Sequence, residues 1–136
     1  MKDDRSPRRI TVGHAISVGL LWVNGPVFAL LFGVPALTWY VVLGGARTLG
    51  TASHAIAFLV SILVGFVFAW TWWSITVPKW RLWAYERVED IAALKEKAVE
   101  AGLTWPDGSV FEKTESKSAE HAELERKLEQ EKSKRP

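Results

Sequence analysis

From Ile10 to Pro78 the chain carries one full charge, Arg47, in 69 residues. A soluble domain of 136 residues needs charged faces on nearly every surface element, whereas a segment solvated by lipid excludes them. The charges lie at the two ends instead. Residues 1 to 9 hold Lys2, Arg5, Arg8 and Arg9 against Asp3 and Asp4, and residues 79 to 136 hold twelve basic and thirteen acidic side chains. The overall composition, 49% hydrophobic with mean hydropathy +0.06, hides this division because wet ends and a dry middle average out. The pattern predicts an all-α integral membrane protein.

Length bounds the number of spans. A helix needs about 20 apolar residues to cross roughly 30 Å of hydrocarbon. Thr51 to Val77 supplies 27 residues with no charge and no internal proline, enough for one span with some tilt. The preceding tract, Ile10 to Ala46, is too short for two full spans and too long for one. Asn24-Gly25-Pro26 offers a break, since proline removes a donor and disfavours helix in the residue before it. That leaves a span over about 27–46, with Pro35 as an internal kink of the kind membrane helices tolerate. Residues 10–24, with Thr11, His14, Ser17 and Asn24 forming a polar stripe, read as an interfacial helix. A cleavable signal peptide fits the basic start, but the apolar tract runs on past the usual length.

The expected organisation is a basic N-terminus (1–9), an interfacial helix (10–24), a transmembrane helical hairpin (25–77), a cytoplasmic amphipathic helix and turn (78–111), and a charged low-complexity tail (112–136). The basic residues flank the hairpin on both sides, and the connecting loop holds Arg47 alone. The positive-inside rule therefore puts both termini in the cytoplasm, in a cell membrane of bacterial inner-membrane type. A third span through 10–26 would separate the termini and translocate one basic flank.

Tryptophan supports a boundary near the end of the second span. Five of the eight lie between Ala69 and Asp90. Indole favours the headgroup level, with its ring in apolar surroundings and its N–H wet. Trp22, Trp70, Trp72, Trp73, Trp80 and Trp83 are the expected interface anchors. A second pattern runs along the spans. Ser53, Ala57, Ser61, Gly65 and Ala69 recur at every fourth residue, and Gly25, Ala29 and Gly33 repeat the spacing in the first span. Small side chains let helix backbones approach in lipid, where packing is the main attraction available. These stripes are expected to pair helices, either within the chain, with a second copy, or with another membrane protein.

Past Pro78, the residues Trp80, Ala84, Val88, Ile91, Leu94, Ala98 and Ala101 recur at three- and four-residue steps, predicting one amphipathic helix that Gly102 stops. Pro106-Asp107-Gly108 reads as a turn. Pairs such as Glu123 with Lys127 and Glu131 with Arg135 support partial helix in the tail.

Reactive chemistry is sparse. The chain has no cysteine, and His14, His54 and His121 show no spacing that joins them as metal ligands. No phosphate loop or nucleophile motif occurs, so no catalytic, cofactor or metal site is expected, and no nucleic-acid partner. Two functional classes follow. One is a non-enzymatic anchor, accessory subunit or scaffold working through helix packing and its cytoplasmic helix. The other is a homo-oligomeric pore, because the layout is similar to small mechanosensitive channels and some phage holins in architecture, without a matched motif.

Overall fold

The computed structural model describes residues 8–44, 51–115 and 118–134, and these are all-helical with no strand. Five α-helices follow in order: α1 (Val12–Gly19), α2 (Gly25–Thr38), α3 (Thr51–Arg87), α4 (Ile91–Glu100) and α5 (Ala119–Ser133). Two π-helical turns, Leu20–Asn24 and Trp39–Leu43, join and extend α1 and α2, and a 3₁₀ turn at Val110–Thr114 precedes α5. The connecting loop with Arg47, the N-terminal Lys2 and Arg5, and Arg135 lie outside the described residues.

Two helices are long and apolar enough to cross a membrane: Val12–Val41 and Ala52–Arg87. Only 17% of the most apolar window of each is buried inside the molecule, so these stretches are largely uncovered by the rest of the described chain. Leu21, Phe32, Leu37, Tyr40, Leu59 and Leu63 are instead among the exposed large side chains.

The expected break at Asn24-Gly25-Pro26 is absent, so the residues before it continue into the first long helix instead of forming a separate one. Asn24 and Gly25 keep right-handed helical dihedrals, and the backbone runs through the proline. The reason is local. Pro26 has no N–H for the carbonyl four residues earlier, that of Trp22. The Trp72 indole N–H donates to that oxygen at 3.3 Å. The π-helical turn just before Pro26 also shifts the hydrogen-bond register where the ring would otherwise clash. Pro78 likewise fails to divide the second helix, which continues to Arg87 rather than restarting there. Its ring is fully buried, and that packing offsets the missing backbone bond.

The hairpin closes along the small-residue stripe of α3. Ser61, Gly65 and Ala69 are buried, Ala57 is half-buried, and Ser53 is exposed nearer the loop. At Gly65 the backbones come so close that a Cβ would lie 2.9 Å from the Leu30 carbonyl oxygen and 3.5 Å from Val34 Cβ. Only glycine fits that approach, and its Cα–H faces a carbonyl. The partner of this stripe is therefore the chain's own first helix. Gly25, Ala29 and Gly33 point the other way: all three are exposed, and a Cβ at Gly25 or Gly33 would meet nothing within 4 Å. Trp39 packs edge-on against Phe58 at 5.8 Å and ties the two helices near the loop end.

Gly65→Leu is expected to force the helices apart and destabilise the hairpin by at least about 1–3 kcal/mol, the usual range for overpacking. Gly33→Leu, on the open face, is expected to leave the hairpin's own stability unchanged. Thermal loss of helical circular dichroism in detergent micelles checks both, and equal effects would contradict this packing.

Candidate functional site: the helical cap and the exposed face of the hairpin

Both long helices overrun the apolar hairpin at the same end, and their surplus builds a small cap. Ala15 and Val23 from the first helix meet Val77, Trp80, Ala84 and Tyr85 of α3, with Val88, Ile91, Leu94, Ala98 and Leu103 completing the core. The seven residues of the amphipathic stripe are buried or, for Ala101, half-buried, but they are divided between the end of α3, the link at Val88 and α4 with its C-cap rather than lying on one helix. Arg87 ends α3, and Asp90 starts α4 by accepting the Ala93 N–H at 2.9 Å. At the other end Gly102 adopts φ 67, and Leu103 N–H reaches the Ala98 carbonyl at 2.9 Å. That is a Schellman closure, and it drives Leu103 into the core. Pro106-Asp107-Gly108 turns with Gly108 at φ 80 and a 3.1 Å bond from Ser109 N–H to the Pro106 carbonyl.

Trp80 is the centre of this cap, which corrects its expected role at a headgroup surface. Its side chain is 5% exposed, and its indole N–H donates to the Ala15 carbonyl at 3.0 Å. Gly19 makes the seat. A Cβ there would stand 2.7 Å from the indole and 2.8 Å from Leu103 Cδ1. Of the other expected anchors, Trp22 is 64% exposed and Trp72 40%, while Trp70, Trp73 and Trp83 are half-buried. Trp70 and Trp73 belong to an aromatic row running from Phe66 through Trp105 to Phe111, with ring centroids between 4.6 and 6.4 Å apart. Trp105 thus connects the post-α4 turn to the hairpin. Beside this row an open groove of about 460 Å³ is walled by Phe28, Leu31, Phe66, Trp70, Trp73 and Trp105. No charged residue lines it.

The polar side of the cap holds a buried ion cluster. Arg81, on what the periodicity marks as the wet face, is 5% exposed. It donates to Glu115 Oε1 at 2.9 Å, and Glu125 Oε2 lies 4.0 Å from its other terminal nitrogen. Burial works against the guanidinium charge, but Glu115, Tyr85 and Glu125 outweigh it, so the Arg81 pKa is raised. Burial also pushes the Tyr85 phenol above its ordinary range, only partly offset by Arg81 and Lys95. Lys95 is desolvated too, yet its bonds to Glu129 at 2.7 Å and Asp107 at 2.9 Å raise its pKa. A raised lysine pKa means that this stabilisation is complete at neutral pH and is lost only as pH rises past the ordinary lysine range. The tail helix packs beside these groups: Ser118 caps α5 by accepting the His121 N–H, and Lys132 donates to the Tyr85 and Val88 carbonyls where α3 ends.

Periodicity alone misses Arg81, Glu115 and Gly19. The signals present are an arginine one residue from a buried tryptophan and the small pair Ala15 and Gly19 opposite the polar stripe. Thr11, His14 and Ser17 of that stripe are exposed, and Asn24 is half-buried. Among the described residues no group of three or more His, Asp or Glu side chains is placed to hold a metal ion. No family model, curated protein or solved structure matches the chain.

Trp80→Phe removes one buried hydrogen bond and some volume, and is expected to cost the cap about 1–3 kcal/mol. Arg81→Met breaks the buried pair with Glu115 and is expected to cost about 3–5 kcal/mol. Chemical denaturation of the reconstituted protein, read on near-ultraviolet dichroism, checks the order; an Arg81→Met effect below that of Trp80→Phe would contradict the cluster's importance.

Proposed function

We propose that the protein is a non-enzymatic integral membrane anchor that serves as a scaffold or accessory subunit, with the hairpin in the bilayer and the helical cap presented to partners in the cytoplasm. The observation carrying this reading is the continuity of the two long helices from an uncovered apolar belt into a packed polar cap. An apolar belt of this extent needs a lipid covering. The base of the cap then stands at a fixed height and angle, because both long helices run into it without a break. Its surface offers charged helices and an aromatic row, the materials of recognition rather than catalysis.

The basic flanks put both termini on the cytoplasmic side of a bacterial inner membrane. Two features of the structure support an even number of spans. The Ile10 N–H donates to the Arg87 carbonyl at 3.1 Å, and Arg9 pairs with Glu89, so the start of the first helix and the end of the second lie together. Association with a second copy or another membrane protein would use the exposed Gly25, Ala29 and Gly33 face, since Ser61, Gly65 and Ala69 are occupied within the chain. This occupancy also favours the anchor over the homo-oligomeric pore, whose small-residue lining would have been that same stripe.

Reporter fusions that are active only outside the cytoplasm are expected to be silent at either terminus, while a thiol placed at Thr48 reacts with an impermeant reagent. A periplasmically active C-terminal fusion would overturn the topology. Crosslinking in native membranes is expected to capture a partner that is lost in Ala29→Leu; ion flux through liposomes holding the purified protein would favour the pore instead.

A further inference from the structure

The fifth helix is attached in an unusual way. Of the fifteen residues in α5 the buried one is Glu125, a charged side chain, and Leu128 is the apolar residue that packs partly against the core. Among the described contacts, charged side chains along the C-terminal half of α5 link it to α3 and α4. Glu125 faces Arg81 at 4.0 Å, Glu129 pairs with Lys95 at 2.7 Å one turn later, and the Lys132 ammonium donates to the Tyr85 and Val88 carbonyls. Apolar docking survives salt, whereas partly exposed charge pairs weaken as ions screen them. Lys95 and Glu129 are 31% and 36% exposed, well within reach of such screening.

The structure also makes departure of α5 inexpensive for what stays behind. Arg81 keeps its shorter, buried bond to Glu115, which precedes α5 in the chain, so withdrawing Glu125 does not leave the guanidinium alone. Lys95 likewise keeps Asp107 at 2.9 Å. The helix carries its own support, with the Ser118 cap and a 2.8 Å pair between Glu123 and Lys127. Each basic group under α5 therefore has a second acidic partner within the cap, and α5 has its own means of remaining helical.

We propose that α5 is a releasable ionic clasp over the α3–α4 face, closed at low ionic strength and opened as salt rises, exposing Arg81, Tyr85 and Lys95 at the cap surface. This goes beyond the scaffold reading, because it assigns the cap two states whatever partner it holds. The core of Val77, Trp80, Ala84, Leu94 and Leu103 is not part of the opening.

The absence of cysteine from the chain permits clean labelling. Spin labels at Glu96→Cys and Gln130→Cys in the full chain, reconstituted in neutral lipid nanodiscs, report the distance between α4 and α5; Lys79→Cys with Glu96→Cys reports the cap core. Between about 20 mM and about 1 M salt, where the screening length falls to a few Å, the first pair is expected to shift from one short distance to a majority of longer ones, with the second pair unchanged. Lys95→Glu is expected to release α5 already at low salt, and Lys95→Glu with Glu129→Lys to restore the short distance. A first-pair distance that ignores the salt series, or a second pair that lengthens with it, overturns the clasp. The salt series leaves every clasp residue intact, so a charge-reversal variant that fails to fold does not remove the test.

Discussion

Gly65 against the Leu30 carbonyl sets the geometry on which the other contacts depend. Helices held in lipid depend on how closely their backbones come, and here a single missing side chain permits a close approach. That contact fixes the register of two helices far longer than a bilayer requires. At about 1.5 Å per residue, the 37 residues of α3 extend to roughly 55 Å, so each helix has several turns left over beyond the hairpin. Because the register is fixed, the surplus turns arrive side by side, with Gly19 opposite Trp80. The cap is thus a consequence of hairpin packing as much as of its own residues.

Charge absence and residue spacing carried much of the architecture in the sequence. The two long apolar helices, the small-residue stripe and the glycine stop after α4 are each local statements, readable from a run or a spacing. What was not legible depended on partners distant in sequence. Pro26 and Pro78 look like breaks because each removes a backbone bond, yet the Trp72 indole meets the carbonyl that Pro26 leaves open, fifty residues away, and core packing retains Pro78. Trp80 resembles the neighbouring interface tryptophans in sequence; it differs because Ala15 and Gly19 offer it a seat. Arg81 shows the same limit from the polar side. Helical spacing assigns it to solvent, and two glutamates more than thirty residues onward bring it inside.

The two ends of the molecule differ in what they present. Its hairpin presents uncharged surface, and its buried charges, Arg81, Glu115 and Glu125, are gathered in the cap. That organisation is what the proposed anchor role draws on: holding and presenting. The proposed anchor and the proposed clasp are compatible for that reason: the rigid helices hold the cap in place, and the weakly attached fifth helix is the part free to change.

Continuity of the first helix through Asn24-Gly25-Pro26 is the claim that separates a rigidly held cap from one hung on a hinge. Single nitroxide labels stepped through residues 16–34 in lipid nanodiscs, read for accessibility to oxygen and to a water-soluble nickel complex, test it most directly. The account predicts a helical oscillation that continues across Pro26 with one phase shift at the π-helical turn. Loss of periodicity with uniformly high nickel accessibility from 23 to 27 would mean a hinge, and would contradict it.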